Sequence, residues 1–194
     1  ESISAWSGAS FANVESNPVS VSGNISQNSE PLTSVEITVP VLSSYAFYGA
    51  TCIKTVVIAE SVTTLSQYSL NGLSALENFV FNASDMNDLT QNNGVLTGVA
   101  SESKNLKLTV GENAQRIPAY LLCSVEGAEG YLSSVEFAGV STVKEVGVSA
   151  FGRTGKLIEL ALPKSIENIA VGALRGCYAL EDVTLPFVGT SLTK

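Results

Sequence analysis

The chain has 194 residues, 45% of them hydrophobic and only 14% charged, with a net charge of −8 and a pI near 4.5. No basic face or polybasic stretch is present, so binding to nucleic acid or to a membrane surface is not expected. No apolar run reaches the ~18 residues of a membrane span, so no membrane insertion is expected. The sequence holds no histidine, which excludes Ser-His-Asp and Cys-His catalysis and any His-ligated metal site. A typical globular chain carries about 25% charged residues, so this surface must be built largely from Ser, Thr, Asn and Gly. That composition suits a secreted or cell-surface protein.

Residues 1–31 are expected to form an N-terminal cap or a divergent first repeat. Trp6 is expected to cover the open end of a core, and the start at Glu1 without Met fits a processed or recombinant fragment. From Leu32 a template of the form apolar-x-x-apolar-x-apolar recurs. It reads LTSVEI from Leu32, IKTVVI from Ile53, LENFVF from Leu76, LSSVEF from Leu132, LIELAL from Leu157 and LEDVTL from Leu180. A weaker copy, SKNLKL from Ser103, lacks the first apolar residue, and successive starts lie 21, 23, 27, 29, 25 and 23 residues apart. These intervals fall in the leucine-rich repeat range.

Further anchors follow each template. Val39 and Leu42, Val62 and Leu65, Ala114 and Ile117, Val143 and Val146, and Ile166 and Ile169 are each three apart. Five residues beyond each second member stands another large apolar residue: Phe47, Leu70, Leu122, Phe151 and Leu174. Length varies between these anchors, where loops absorb it. Val125–Tyr131 reads as an insertion and the polar stretch Asn82–Asn93 as a longer loop.

The last two apolar residues of each template are two apart and share one face of a strand. One strand per turn, stacked at about 4.8 Å, gives a parallel sheet roughly 30 Å long over seven turns. No unit could bury its apolar face alone, but a stack makes one continuous core. The expected architecture for 32–194 is therefore one leucine-rich repeat solenoid, right-handed as parallel crossovers are. It is β-rich with little regular helix and carries one strand per 21–29 residues.

YAFYG at Tyr45, SVTTLSQYSLNG from Ser61, VGENAQRIPAYLL from Val110, SAFGRTGKL from Ser149 and LPKSIENIAVGALRGCYALEDVTLP from Leu162 resemble the BspA-like leucine-rich repeats. FANVESNPVS from Phe11 and LPFVG from Leu185 extend the likeness over nearly the whole chain. The family's usual Gly after the isoleucine is replaced by Ser66, Pro118 and Ala170, and its usual Cys stands only at Cys177. The resemblance implies a secreted or surface-attached protein of host-associated bacteria or parasitic protists, associated with adhesion to host or matrix proteins.

The leading candidate site is the outward face of the sheet. Its central row is expected to be Glu36, Val57, Val80, Lys107, Glu136, Ala161 and Thr184. The row before it is Ser34, Thr55, Asn78, Asn105, Ser134, Glu159 and Asp182. Extended solenoid surfaces are where such proteins bind, and the partner expected is a host, matrix or other surface protein. A monomer is expected, with no cofactor and no metal. The alternative is a structural spacer.

A third reading, a carboxylate glycosidase, rests on Glu159 and Asp182 alone. They would sit on adjacent strands at a separation near that of retaining enzymes. Asp85 and Asp88, Glu126 and Glu129, and Glu181 and Asp182 lack the spacing of a calcium loop and read as solvated charge. Cys52, Cys123 and Cys177 are too few and too scattered for a disulfide framework and read as structural thiols. Near Gly152 and Gly155, Lys156 has no phosphate-loop motif around it. The sequons at Asn24 and Asn82 matter only in a glycosylating host.

Overall fold

A computed structural model describes residues 23–124 and 130–187, together with a short strand β1 (Ser2–Ile3). The other residues lie outside the description, and with them Trp6, Glu126 and Glu129. The same holds for most of the expected cap. The described part of 1–31 contributes β1 and a hairpin of β2 (Ser26–Gln27) and β3 (Glu30–Pro31). Asn28 and Ser29 turn that hairpin with φ +51° and +69°, the positive-φ pair that suits a tight two-residue loop.

The template residues form the front strands. These are β4 (Ser34–Ile37), β6 (Thr55–Ile58), β8 (Asn78–Phe81), β9 (Leu106–Val110), β11 (Leu132–Phe137), β13 (Glu159–Ala161) and β15 (Asp182–Thr184). All their pairings are parallel: β1-β4-β6-β8-β9-β11 form one sheet and β13-β15 another. The three-apart anchors lie on a second set of short strands. Here β5 (Val41–Leu42) pairs with β7 (Thr64–Leu65), and β10 (Arg116–Ile117) with β12 (Glu145–Val146) and then β14 (Asn168–Ile169). Among the described residues there is no helix. The molecule is a parallel β-solenoid.

The period-2 pattern does what the sequence requires of it. Val35, Ile37, Val56, Ile58, Phe79 and Phe81 are fully buried, and Leu160 and Leu162 nearly so, while the residues between them face solvent. Behind the sheet Phe47, Leu70, Leu122 and Phe151 form a buried column, linked turn to turn by bonds such as Phe47 N–H to Ser69 O, 2.8 Å.

Four residues expected in the core depart from it. Val135 and Phe137 are half-buried, and Val183 and Leu185 are 42% and 43% exposed. The first two lie at a seam, because β11 is not hydrogen-bonded to β13. A bulge at Ser133 interrupts the β9–β11 register, and a bulge bends its strand and disrupts the ladder. Val183 and Leu185 belong to the last described turn, whose strand β15 pairs with β13 alone among the described strands.

The stretch Asn82–Asn93 is not a loose loop. It buries Ala83 and Met86, again three apart, and Leu89. It makes no strand, so the second ladder is interrupted between β7 and β10, and side chains span the gap. Asn87 Nδ2 donates to Thr64 Oγ1 (3.0 Å), and Arg116 donates to Met86 O (3.1 Å) and Asp88 Oδ1 (2.7 Å). The Ala119 N–H donates to the same Asp88 oxygen at 2.8 Å. Asp88 is thus a structural acceptor, not solvated charge. Asn82 is also engaged: its Oδ1 accepts from Asn113 N–H (3.1 Å), and its side chain fills the space a Cβ at Gly111 would need.

Candidate functional site

The outward front residues stand where alternation puts them. Glu36, Glu136, Glu159, Ala161, Asp182 and Thr184 are exposed, and Val57, Val80 and Lys107 are partly exposed. Strand pairing places Glu36 beside Val57 and Val57 beside Val80, and brings Glu159 to Asp182 and Ala161 to Thr184.

One position needs correction. Lys107 aligns with Asn78 and Ser134, and Thr109 takes the central place between Val80 and Glu136. The template copy here is NLKLTV from Asn105, two residues later than expected. Leu106 and Leu108 had drawn the register to themselves, but the equivalents of Phe79 and Phe81 are Leu108 and Val110. The pattern LKLTV is apolar at three alternate positions, so sequence alone offered two registers. Asn105 correspondingly precedes the strand rather than lying in the second row.

The correction gathers polar groups. Lys107 sits in an open groove of about 380 Å³ with Glu77, Asn78, Ser103, Asn105 and Ser134. Its ammonium meets Glu136 at 2.7 Å, a diagonal contact across β9 and β11. Ser133 donates to Asn105 Oδ1 and to Leu106 O (3.0 Å), fixing one wall. Lys54 and Glu77 pair at 3.2 Å beside it. The groove offers amide, hydroxyl and charged partners on a rigid strand scaffold, and Val57 and Val80 continue the face as an apolar strip.

Glu159 and Asp182 are direct ladder neighbours, as expected, but both are exposed on the open strand face and outside this groove. Among the described residues no cluster of three or more Cys, Asp or Glu could hold a metal ion. The thiols have local partners. Cys52 donates to Leu32 O (3.4 Å), and Cys177 donates to Phe151 O (3.1 Å) and accepts from Thr154 Oγ1 (3.2 Å). Burial pushes the Cys123 thiol above its ordinary value; Arg153 opposes the rise, Cys177 adds to it and Arg175 opposes it.

The profile of the BspA type leucine rich repeat region matches residues 6–93 and 101–194, in six copies. The chain belongs to this family. Three solved structures resemble this BspA-type chain. A leucine-rich repeat protein from Eubacterium ventriosum is 20% identical, with a TM-score of 0.50, over 87% of this chain and 48% of its own. A leucine rich cell surface protein from Faecalibacterium prausnitzii is 20% identical (TM-score 0.49; 83% and 41% covered). A leucine-rich repeat protein from Bacteroides ovatus is 19% identical (TM-score 0.48; 80% and 43% covered). The chain spans less than half the length of each, and the first shares its fold. A search of curated proteins found no match.

Proposed function

We propose that this BspA-type repeat region is a non-catalytic binding module of a secreted or cell-surface protein, engaging a host, matrix or other surface protein through its front sheet. The supporting observation is the outward row itself: strand after strand sets one side chain at the same place, with the Lys107 groove at its centre. Glu36, Glu136, Glu159 and Asp182 make the face mostly acidic, so a basic partner region would be steered to it, and association would weaken as salt rises. A spacer role remains the second reading, favoured by the plain centre of the row at Val57, Val80 and Thr109.

A host-protein array identifies the partner. Changing Glu36, Glu136, Glu159 and Asp182 together to Ser should then weaken capture, while neutralising Asp85, Glu126 and Glu129 should not. Asp88 is left intact because it holds Ala119 and Arg116. Normal binding by the face variant, with loss in the loop variant, would move the site to the insertions. An array without partners would favour the spacer.

A further inference from the structure

The sequence holds two Asn-Gly steps, Asn71–Gly72 and Asn93–Gly94. The side-chain amide of an asparagine is open to attack by the backbone nitrogen that follows it, and glycine, which has no Cβ, obstructs that attack least. Both asparagines are half-buried, and both stand on the third side of the solenoid, after the two ladders. Sequence and burial therefore do not separate them. Their hydrogen bonds do.

The Asn71–Gly72 peptide is clamped on both sides. Its carbonyl accepts from Gly49 N–H (2.8 Å), and its N–H donates to Thr97 O (2.8 Å). The Asn71 side chain is tied as well, its Nδ2 donating to Gly94 O at 3.1 Å. The Asn93–Gly94 peptide is held on one side only, where Tyr68 N–H donates to Asn93 O at 3.3 Å. Among the described residues the Gly94 N–H has no acceptor, and the Asn93 side chain makes no hydrogen bond. Its Oδ1 is buried without a partner, a state rare enough to need a reason. The cause lies in the splice between β7 and β10. In three other turns the residue at the place of Gly94 donates to the turn that follows: Tyr45 to Gln67 O (3.4 Å), Tyr68 to Asn93 O (3.3 Å) and Tyr120 to Val148 O (2.9 Å). One turn beyond Gly94 the equivalent acceptor is Ala119 O, which receives the Leu89 N–H instead, at 3.1 Å. Position 94 also requires glycine. Its φ is +71°, and a Cβ there would meet the Tyr68 ring.

We propose that Asn93–Gly94 is a self-modifying site, at which the folded chain turns Asn93 into isoaspartate and aspartate. The Gly94 nitrogen attacks Asn93 Cγ, the Cγ–Nδ2 bond breaks, and ammonia leaves with the proton of the Gly94 amide. The ring so formed is a succinimide. Water reaches the step past the exposed Gln91 and Asn92 and opens the ring at either carbonyl. The reaction consumes one water, releases one ammonia and needs no oxidant or reductant. Either product adds one negative charge, a covalent change that alters the local electrostatics. In the isoaspartate product the main chain gains one carbon, and the carbonyl that accepted the Tyr68 N–H becomes a free carboxylate. The site lies on the turns, away from the front sheet, and stands whichever face binds protein.

The test is a time course of the folded chain at pH 8.5 and 37 °C, followed by cleavage at glutamate and mass spectrometry. Cleavage at Glu77 puts Asn71 and Asn93 on different peptides. Asn93 should convert at least about tenfold faster than Asn71. Its products should be an isoaspartate and an aspartate peptide of equal mass, separable by chromatography. In denaturant both steps lose their bonds, and the two rates should draw level. Asn93→Gln should abolish the early mass gain, which assigns it to Asn93 rather than to Asn92. Equal rates in the folded chain would overturn the proposal, as would the absence of conversion at Asn93. A ratio that persisted in denaturant would place the cause in the local sequence and overturn it too. So would a mass gain retained by Asn93→Gln.

Discussion

The solenoid is cut in two places, and the cuts are handled differently. Between β7 and β10 the second ladder is lost, and Asn87, Asp88 and Arg116 span the gap with side-chain bonds. Between β11 and β13 the front ladder is lost and is not bridged by hydrogen bonds between the strands. There the second ladder runs on through β12 and β14, and turn bonds such as Phe151 N–H to Ala173 O (3.0 Å) and Arg153 N–H to Arg175 O (2.8 Å) continue behind. A turn held on three sides tolerates the loss of one. Cohesion at the seam must therefore come from the core and the back, whereas at the splice polar side chains act together with the backbone bonds Asn87 N–H to Thr63 O (2.9 Å) and Leu89 N–H to Ala119 O (3.1 Å).

The largest expected effect breaks the seam. Phe151 is fully buried in the column behind it. Phe151→Ala should cost about 3–5 kcal/mol, the usual range for truncating a buried Phe, measured by urea unfolding. A loss below about 1 kcal/mol would mean that the core does not join the two parts of the front sheet. The transition should also broaden if the turns from β13 onward then melt separately, as nearest-neighbour coupling in a repeat protein implies.

The next test addresses the splice. Asp88→Ala removes the acceptor of the buried Ala119 N–H, at a cost of about 1–3 kcal/mol for an unsatisfied buried donor. The ion pair with Arg116 adds little, because the Asp88 side chain is 53% exposed. Asp85→Ala, a few residues away and exposed, should change stability by less than about 0.5 kcal/mol. Equal effects of the two would show that the stretch is a loop after all.

Most of this architecture was legible in the sequence, because repetition states the same constraint several times over. Val35 and Ile37 alone could belong to many folds; six similar pairs at solenoid spacing could not. What escaped was written once. Asp88 is a structural acceptor only because Ala119, thirty-one residues later, lies one turn on. Lys107 slipped because LKLTV is apolar at three alternate positions and the pairing of β8 chooses between two registers. On the front face the alternation put the named side chains outward, with Lys107 and Asn105 displaced from their expected rows, and chemistry specific to a partner is not encoded in a period.

A smaller effect sharpens the account of the seam. The edge of β13 that faces β11 lacks ladder bonds, whereas β6 and β8 are bonded on both edges. Hydrogen exchange tracks local opening, so amides on that edge should exchange orders of magnitude faster than those of β6 and β8. Equal protection would mean that the front ladder closes in solution.

The smallest effect concerns the half-buried Cys123 thiol. Burial holds the Cys123 thiol above its ordinary value in the folded chain. In the unfolded chain it ionises near pH 8.5. Above that pH the unfolded state sheds a proton that the folded state keeps, so stability falls as pH rises. The decline begins near the unfolded value and levels off once the folded thiol ionises. Other groups titrate in the same range, so the comparison must be with Cys123→Ser, which lacks this contribution alone. The difference in stability between the two proteins should shrink from pH 7.5 to pH 9.5 by some tenths of a kcal/mol, since the group is only partly buried. A difference that grew instead would mean that the thiolate is favoured in the fold, with Arg153 and Arg175 outweighing burial. Thiol titration in denaturant without reductant should count three free groups in the parent chain, because Cys52, Cys123 and Cys177 lie on different turns.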